Sequence, residues 1–249
     1  MCYIGVDGCS AGWFMISEDD NGQLRYELYD NIKSLWYDNE VIQLALIDIP
    51  IGLKETGPEE RRCDKLARKI LNKRKYSVFP APCRQALKAT SWGEANKINK
   101  KVRGKGLSKQ SWNISSKIHE VDDLIKTETK VKHLFREAHP EIVFWALNNK
   151  NEMAFNKKTA QGYKERLDLL KSYISDVEAF INSILNEYYR KDLARDDIFD
   201  AIVLYLAAKL SNKSNWELVS IPAEPEIDPE GIRMEIVFTI SGKLKGWSK

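Results

Sequence analysis

Asp7, Asp48, Asp197 and Asp200 stand where carboxylates do not help a fold. Asp7 follows the apolar run Cys2-Tyr3-Ile4-Gly5-Val6, and Asp48 interrupts another, between Leu44-Ala45-Leu46-Ile47 and Ile49-Pro50-Ile51. Asp197 and Asp200 head a stretch, Ile198 to Leu210, that is apolar almost all round a helix. A carboxylate beside a dry core is costly unless it is paired or holds a metal. Gathered in one place, these groups would make a site for a hard divalent cation, Mg²⁺ or Mn²⁺. Two such ions about 4 Å apart can activate a water and absorb the charge that develops on a phosphate, which is what phosphodiester hydrolysis requires. Each aspartate also has a plainer reading. Asp7 before Gly8 and Asp48 before Ile49-Pro50 could serve as turn residues. Asp196 and Asp197 could cap a helix. Asp200 lies beyond the cap and is harder to account for in that way.

Other residues are candidates for supporting roles. Glu137 and Glu141 flank His139-Pro140 and are read as further catalytic carboxylates, as metal ligands or as anchors for a Lys or Arg. His139 could shuttle a proton or be a hydrogen-bonded structural histidine. Arg62, Arg68 and Arg84 could grip phosphate bidentately, and Lys157 and Lys158 could neutralise it. Tyr76, Phe79, Trp92 and Trp112 interleave with basic residues and could stack on bases, although core packing explains such aromatics equally well.

The carboxylates need rigid elements to bring them together. Residues 2–7 read as a strand, followed by the turn Gly8-Cys9-Ser10-Ala11-Gly12 and a second strand from Trp13 to Ser17. Asp19-Asp20-Asn21-Gly22 is a hairpin turn leading into the alternating run Leu24 to Tyr29. A short helix is expected over Ile32 to Tyr37, then a strand buried on both faces over Ile42 to Ile47. If the first and fourth strands are adjacent and parallel, Asp7 and Asp48 emerge at the same sheet edge. Helical spacing marks Glu59 to Lys75, Ser91 to Lys101 and Trp112 to Ile125. Val131 to Arg136 reads as a fifth strand closed by the turn Glu137-Ala138-His139-Pro140-Glu141, Gly162 to Leu185 as one or two helices, and Asp196 to Leu210 as the last long helix. Ile221 and Met234 to Ile240 read as further strands. The spacing puts Asp197 and Asp200 on one helix face.

The chain has 249 residues, of which 43% are hydrophobic and 30% charged, enough to build a core within one large domain. Its mean hydropathy is −0.45. No apolar run approaches the ~20 residues that span a bilayer, so no membrane association is expected. No basic region followed by an apolar stretch opens the chain, so no secretory signal is expected. Cys2, Cys9, Cys63 and Cys83 form no CxxC pair, which argues against a zinc site and a disulfide framework and for a reducing cytoplasm. The net charge of +3 is unevenly spread. Residues 58–130 hold 19 Lys and Arg against 8 Asp and Glu, a basic block beside an acidic remainder. Such a block suits either a polyanion or a merely solvated face.

Taken together, the motifs resemble a known family. Gly5-Val6-Asp7-Gly8-Cys9 with Gly12-Trp13, and Ile47-Asp48-Ile49-Pro50-Ile51-Gly52, are followed by Arg62-Cys63-Asp64 with Ala67-Arg68 and by Ser77-Val78-Phe79 with Pro82 and Arg84. Glu137 with His139-Pro140-Glu141, Lys157-Lys158-Thr159 with Gly162 and Arg166, and Asp196-Asp197 with Asp200-Ala201 complete the series. The series is similar to the predicted nucleases catalogued as domain of unknown function 429, and it runs from about residue 2 to about residue 240. The resemblance implies an α/β, RNase H-like fold. This would be a mixed five-stranded sheet, three antiparallel strands then parallel crossovers, with helices on both faces. A basic helical insertion over about 58–130 would interrupt a single domain spanning 1–249.

The resemblance extends to the Holliday-junction resolvases, which place an acidic residue on the first strand, another on the fourth and an Asp-x-x-Asp pair on the last helix. Asp7, Asp48, Asp197 and Asp200 fit those places. The resolvases usually carry Glu on the fourth strand, and Asp48 is one methylene shorter. The expected activity is thus metal-dependent phosphodiester hydrolysis. Mg or Mn would be the cofactor and DNA or RNA the partner, with a homodimer open to the chain. Two alternatives share enough of the pattern to be kept. One is a phosphotransferase or NTPase of the actin and sugar-kinase type, which also begins with an Asp-bearing strand and a Gly-rich turn. The other is a non-catalytic module that binds nucleic acid or protein.

Overall fold

The computed structural model describes residues 2–39 and 41–242. Strands β1 (Cys2–Cys9), β2 (Gly12–Glu18) and β3 (Leu24–Tyr29) form an antiparallel meander. Helix α1 (Ile32–Asp38) leads into β4 (Ile42–Ile47), which runs parallel to β1. Then follow α2 (Arg62–Ile70), 3-10 turns over Asn72–Ser77 and Arg84–Lys88, α3 (Trp92–Arg103), α4 (Lys109–Asn113), α5 (Ser115–Thr127), α6 (Val131–Leu134) and the short strand β5 (Phe135–Glu137). Helices α7 (Pro140–Leu147), α8 (Ala160–Lys171), α9 (Val177–Glu187) and α10 (Arg195–Leu210) precede the hairpin strands β6 (Trp216–Ile227) and β7 (Arg233–Ser241).

The main sheet orders its strands β3-β2-β1-β4-β5, and β6 and β7 make a separate two-stranded sheet. A mixed sheet with helices around it places the chain in the α/β class, consistent with an RNase H-like fold. Contacts divide the chain into two compact units. One comprises Met1–Asp48, Ala138–Val219 and Phe238–Lys249, and the other Ile49–Glu137 and Ser220–Val237. The expected helical block 58–130 lies inside the second.

In the first unit, tight local chemistry sets the strands. The β1–β2 turn is only Ser10-Ala11, shorter than the five residues expected, and β1 continues past Asp7 to Cys9. Gly12 closes this turn at φ 145°, where a Cβ would lie 2.0 Å from the Tyr29 carbonyl oxygen, so no larger residue fits. The Asp19 carboxylate accepts the amides of Asn21 and Gln23, fixing the β2–β3 hairpin as expected. Ile4, Val6, Trp13, Phe14 and Ile16 are fully buried. Helix α10, apolar nearly all round, packs across β1, β2 and β4, and is correspondingly buried from Ile198 to Ala208.

Gly5 sets the register of that packing. A Cβ at Gly5 would lie 2.1 Å from the Tyr205 nitrogen and 2.2 Å from the Ala201 oxygen, so helix backbone rests directly on strand backbone. Alternate residues of a strand face the same side. Asp7, two residues past Gly5, therefore faces α10. Val6 pairs with Ile47 in the parallel ladder, and the Asp48 amide donates to the Val6 carbonyl at 3.0 Å. That register carries Asp48 to the position beside Asp7.

The second unit is tied by buried ions. Arg61 forms bidentate contacts to Glu137 at 2.7 and 2.8 Å, bonds Asp64 at 2.5 Å, and donates to the carbonyls of Ile51 and Gly52. Arg84 is matched by Asp122, Asp228 and Glu55. Cys83, Ala86, Ala95 and Leu107 form a small core on which Trp112 packs.

Four elements differ from the sequence expectation. The helix expected over Trp112 to Ile125 is split at Ile114 into α4 and α5. Val131 to Leu134 is a helical turn rather than strand, and extended backbone begins only at Phe135. A six-residue apolar-polar run fits either period, and sheet pairing decides it: the Ala138 amide reaches the Ile47 carbonyl just past β5. The helix expected over Glu59 to Lys75 is confined to Arg62–Ile70. Beyond it the Ser77 hydroxyl bonds the Arg74 carbonyl and the chain tightens into a 3-10 turn. Pro140 does not end a turn after the fifth strand; it starts α7 at a position where its missing N–H costs nothing.

Candidate metal centre

Asp7, Asp48 and Asp200 each offer a carboxylate oxygen within 4.8 Å of the others. They arrive from β1, from the residue after β4 and from the second turn of α10, all within the first unit. Asp7 and Asp200 are buried and Asp48 is half-buried.

Crowding and burial act on all of them. Burial pushes the Asp7 carboxyl well above its usual range, and the charges of Asp48, Asp200 and Asp197 push it further. Asp48 is raised by burial, against the lowering influence of His139 and Lys157. Asp200 is pushed up to about 7, again by burial, with Lys157 opposing and Asp48 and Glu141 adding to the rise. A site that resists holding its own negative charges favours a cation that would neutralise them.

Asp197 stands apart from this triad. Its Oδ2 accepts the Ala194 amide at 3.0 Å and so caps the helix that carries Asp200. Burial still pushes it up to about 6, the cap amide opposing. The two aspartates share a helix face, as the spacing requires, but the first-turn residue is drawn to the helix end. The structure thus brings three of the four expected ligands together and gives the fourth a capping bond.

Lys157 supplies the nearest positive charge. Its Nζ lies 2.5 Å from Asp200 Oδ2 and 3.5 Å from Asp196 Oδ2, with about a third of the side chain exposed. Burial alone would lower its pKa, but Asp200 and Asp7 hold it well above the ordinary lysine range. The loop bearing Lys157 is pinned on all sides. Glu165 accepts the amides of Ala154 and Phe155, and Asn156 Oδ1 accepts that of Lys158. Thr159 caps α8 through the Gly162 amide, where a Cβ would lie 1.9 Å from the Asn156 oxygen. Arg166, fully buried, donates to the carbonyls of Phe155 and Gly162 and pairs with Glu141 at 2.5 Å. Glu141 therefore anchors the loop that delivers Lys157, and its charge also bears on Asp48 and Asp200. His139 immediately precedes α7, half-buried, and bears on Asp48.

The remaining expected residues lie in the second unit, except Lys158, which is exposed in the first. Glu137 is spent on Arg61 and the Ile51 amide, and burial pushes it up to about 7 despite Arg61. Arg62 is exposed and its backbone amide bonds Glu226. Arg68 pairs with Glu60 and bonds the Val78 carbonyl. Arg84, buried among three acids, has its charge already matched.

One residue escaped the sequence reading. A small pocket beside the triad has Lys157, Asp200, Arg195, Tyr163 and Phe199 in its walls. The Arg195 guanidinium lies 5.0 Å from the Tyr163 ring centre and pairs with no described carboxylate. Beside the Ala194 cap it reads as an ordinary first-turn residue, and only the fold shows what it faces.

The chain matches the family described as "Protein of unknown function (DUF429)" over residues 5–227, and it belongs to that family. No curated protein and no solved structure matches it.

Proposed function

We propose that this chain is a divalent-metal-dependent nuclease that hydrolyses phosphodiester bonds in DNA or RNA. The convergence of Asp7, Asp48 and Asp200 from three separate elements carries the reading. The donor set fits a hard ion: three carboxylates, with no thiol among the gathered ligands, suit Mg²⁺ or Mn²⁺ rather than a softer metal. Bound there, such ions would supply Lewis-acid stabilisation of the phosphate and an acidified water.

The chain's own residues divide the remaining work. Asp7, Asp48 and Asp200 would hold the cation, and Asp197 fixes the helix end from which Asp200 projects. Lys157, beside Asp200, presents its ammonium to a phosphate oxygen. Arg195, paired with no described carboxylate and braced on Tyr163, grips a phosphate bidentately. His139, beside Asp48, takes up a proton at its imidazole. Glu141 and Arg166 keep the Lys157 loop in place.

Labelled single-stranded, double-stranded and branched DNA and RNA, incubated with Mn²⁺, test the proposal. Wild-type protein should cleave at least one substrate, and Asp7→Asn and Asp200→Asn should lower the rate by at least about a hundredfold. Wild type and variants equally inert on every substrate would overturn it.

A further inference from the structure

The second unit carries a surface that the metal centre does not use. From Lys65 to Gly93 the sequence holds eight basic residues and no acidic one. Some of these charges are matched within the fold: Lys65 pairs with Glu59, Arg68 with Glu60, and Arg84 with three acids. Lys69, Lys73 and Lys75 are exposed and pair with no described carboxylate. They sit at the end of α2 and on the 3-10 turn that follows it.

The same turn displays aromatic surface. Tyr76 is 79% exposed and Phe79, three residues on, is 37% exposed. Lys75 Nζ lies 5.3 Å from the Tyr76 ring centre. Folding gains little from a ring so open to water. Trp112 shows the contrast, since it packs on the small core of this unit. A protruding ring among unmatched lysines has the two elements that hold an unpaired strand: cations for the phosphates and a face on which a base stacks. A duplex keeps its base faces inside its own stack and offers the ring nothing.

We propose that segment 69–79 binds single-stranded nucleic acid. An unpaired base stacks on Tyr76, while Lys69, Lys73 and Lys75 contact phosphates. The proposal rests on the reading of this chain as one that acts on nucleic acid, but not on the chemistry of the triad.

Fluorescence anisotropy of a labelled, unstructured 20-nucleotide strand and of the matching duplex, measured in EDTA, tests it without cleavage. The full chain is compared with Tyr76→Ala, Tyr76→Phe and the double variant Lys73→Ala/Lys75→Ala, each checked for wild-type melting. Wild type should prefer the single strand. Tyr76→Ala should weaken binding about tenfold, and Tyr76→Phe should retain it. Loss of two lysines should reduce the slope of log K against log salt by about 1.4. If wild type binds the strand and Tyr76→Ala and the double variant bind equally well, this surface is refuted while the nucleic-acid reading stands. If wild type binds no oligonucleotide yet cleaves one with Mn²⁺, the surface is refuted and the nuclease reading survives. If it neither binds nor cleaves, both fall.

Discussion

Replacing Asp200 by Asn removes one charge from the triad with little change in side-chain size. The Asp200 carboxyl is pushed up from its ordinary 3.8 to about 7. A carboxyl raised in this way holds its proton more tightly in the folded chain than in the unfolded one. Its contribution to stability is full below pH about 4 and is lost as pH rises through about 7. Each pH unit between those limits is worth about 1.4 kcal/mol, so ionised Asp200 costs up to about 4 kcal/mol near pH 8 without a cation. Asn avoids that cost but offers Lys157 a weaker hydrogen bond, which should leave a net gain of about 2 kcal/mol. For a chain of this length that gain corresponds to a rise in Tm of about 4–8 °C at pH 8. Between pH 7 and pH 5 about 2.7 kcal/mol of that cost disappears, so at pH 5 Asp200→Asn should melt about 1–3 °C below wild type. Thermal unfolding followed by circular dichroism in EDTA across pH 5–8 makes the comparison. Added Mn²⁺ should reverse the order at pH 8, because wild type alone keeps all three ligands. Asp200→Asn melting several degrees lower than wild type at pH 8 in EDTA would refute this reasoning and make the Lys157–Asp200 pair a structural salt bridge.

Lys157→Met removes the ammonium that competes for Asp200. The metal-free protein should lose about 1–2 kcal/mol at pH 8, and calorimetry should show Mn²⁺ binding about tenfold tighter; unchanged affinity would mean that Lys157 does not compete. Gly5→Ala places a methyl group 2.1 Å from the Tyr205 nitrogen and must lift α10 from β1. A loss of about 3 kcal/mol or more is expected in chemical denaturation, together with a smaller Mn²⁺-induced rise in Tm; wild-type behaviour would contradict the register argument. Arg195→Ala should raise KM for a cleaved oligonucleotide about fivefold or more while Tm stays within about 1 °C, and an unchanged KM would remove Arg195 from phosphate binding. Arg61→Ala leaves Glu137 and Asp64 buried without their partner and should cost about 3–5 kcal/mol at pH 8. Burial already pushes Glu137 up to about 7, so that loss should shrink as pH falls below it; a pH-independent loss would argue against an uncompensated carboxylate.

The sheet that frames the triad was legible because strand and turn chemistry are local. Cys2-Tyr3-Ile4-Gly5-Val6 and Ile42 to Ile47 read as buried strands, and the Asp19-to-Gly22 turn closes its hairpin as its residues dictate. An aspartate directly after an apolar run marked the end of β4 correctly at Asp48, while at Asp7 the strand runs on to Cys9. What the sequence hides is the outcome of competition between partners. Asp197 and Asp200 look alike in sequence, yet the free amide of Ala194 claims the first and leaves the second for the cluster. Arg84 carries the same fork that would grip a phosphate, but acids as far along the chain as Asp228 reach it first. Lys157 lies 43 residues from Asp200, and only the pinned loop between α7 and α8 joins them. Helix α7 was masked because Pro140 can close a turn as readily as it can start a helix, and buried packing of Ile142 to Leu147 decides between them.

A crystal of the wild-type protein soaked in Mn²⁺, with anomalous scattering recorded near the manganese edge, measures the central claim directly. At least one peak is expected within about 2–2.5 Å of carboxylate oxygens from Asp7, Asp48 and Asp200, with the Lys157 ammonium displaced from Asp200. A saturating soak that leaves no peak between those residues, with Lys157 still seated on Asp200, would contradict it.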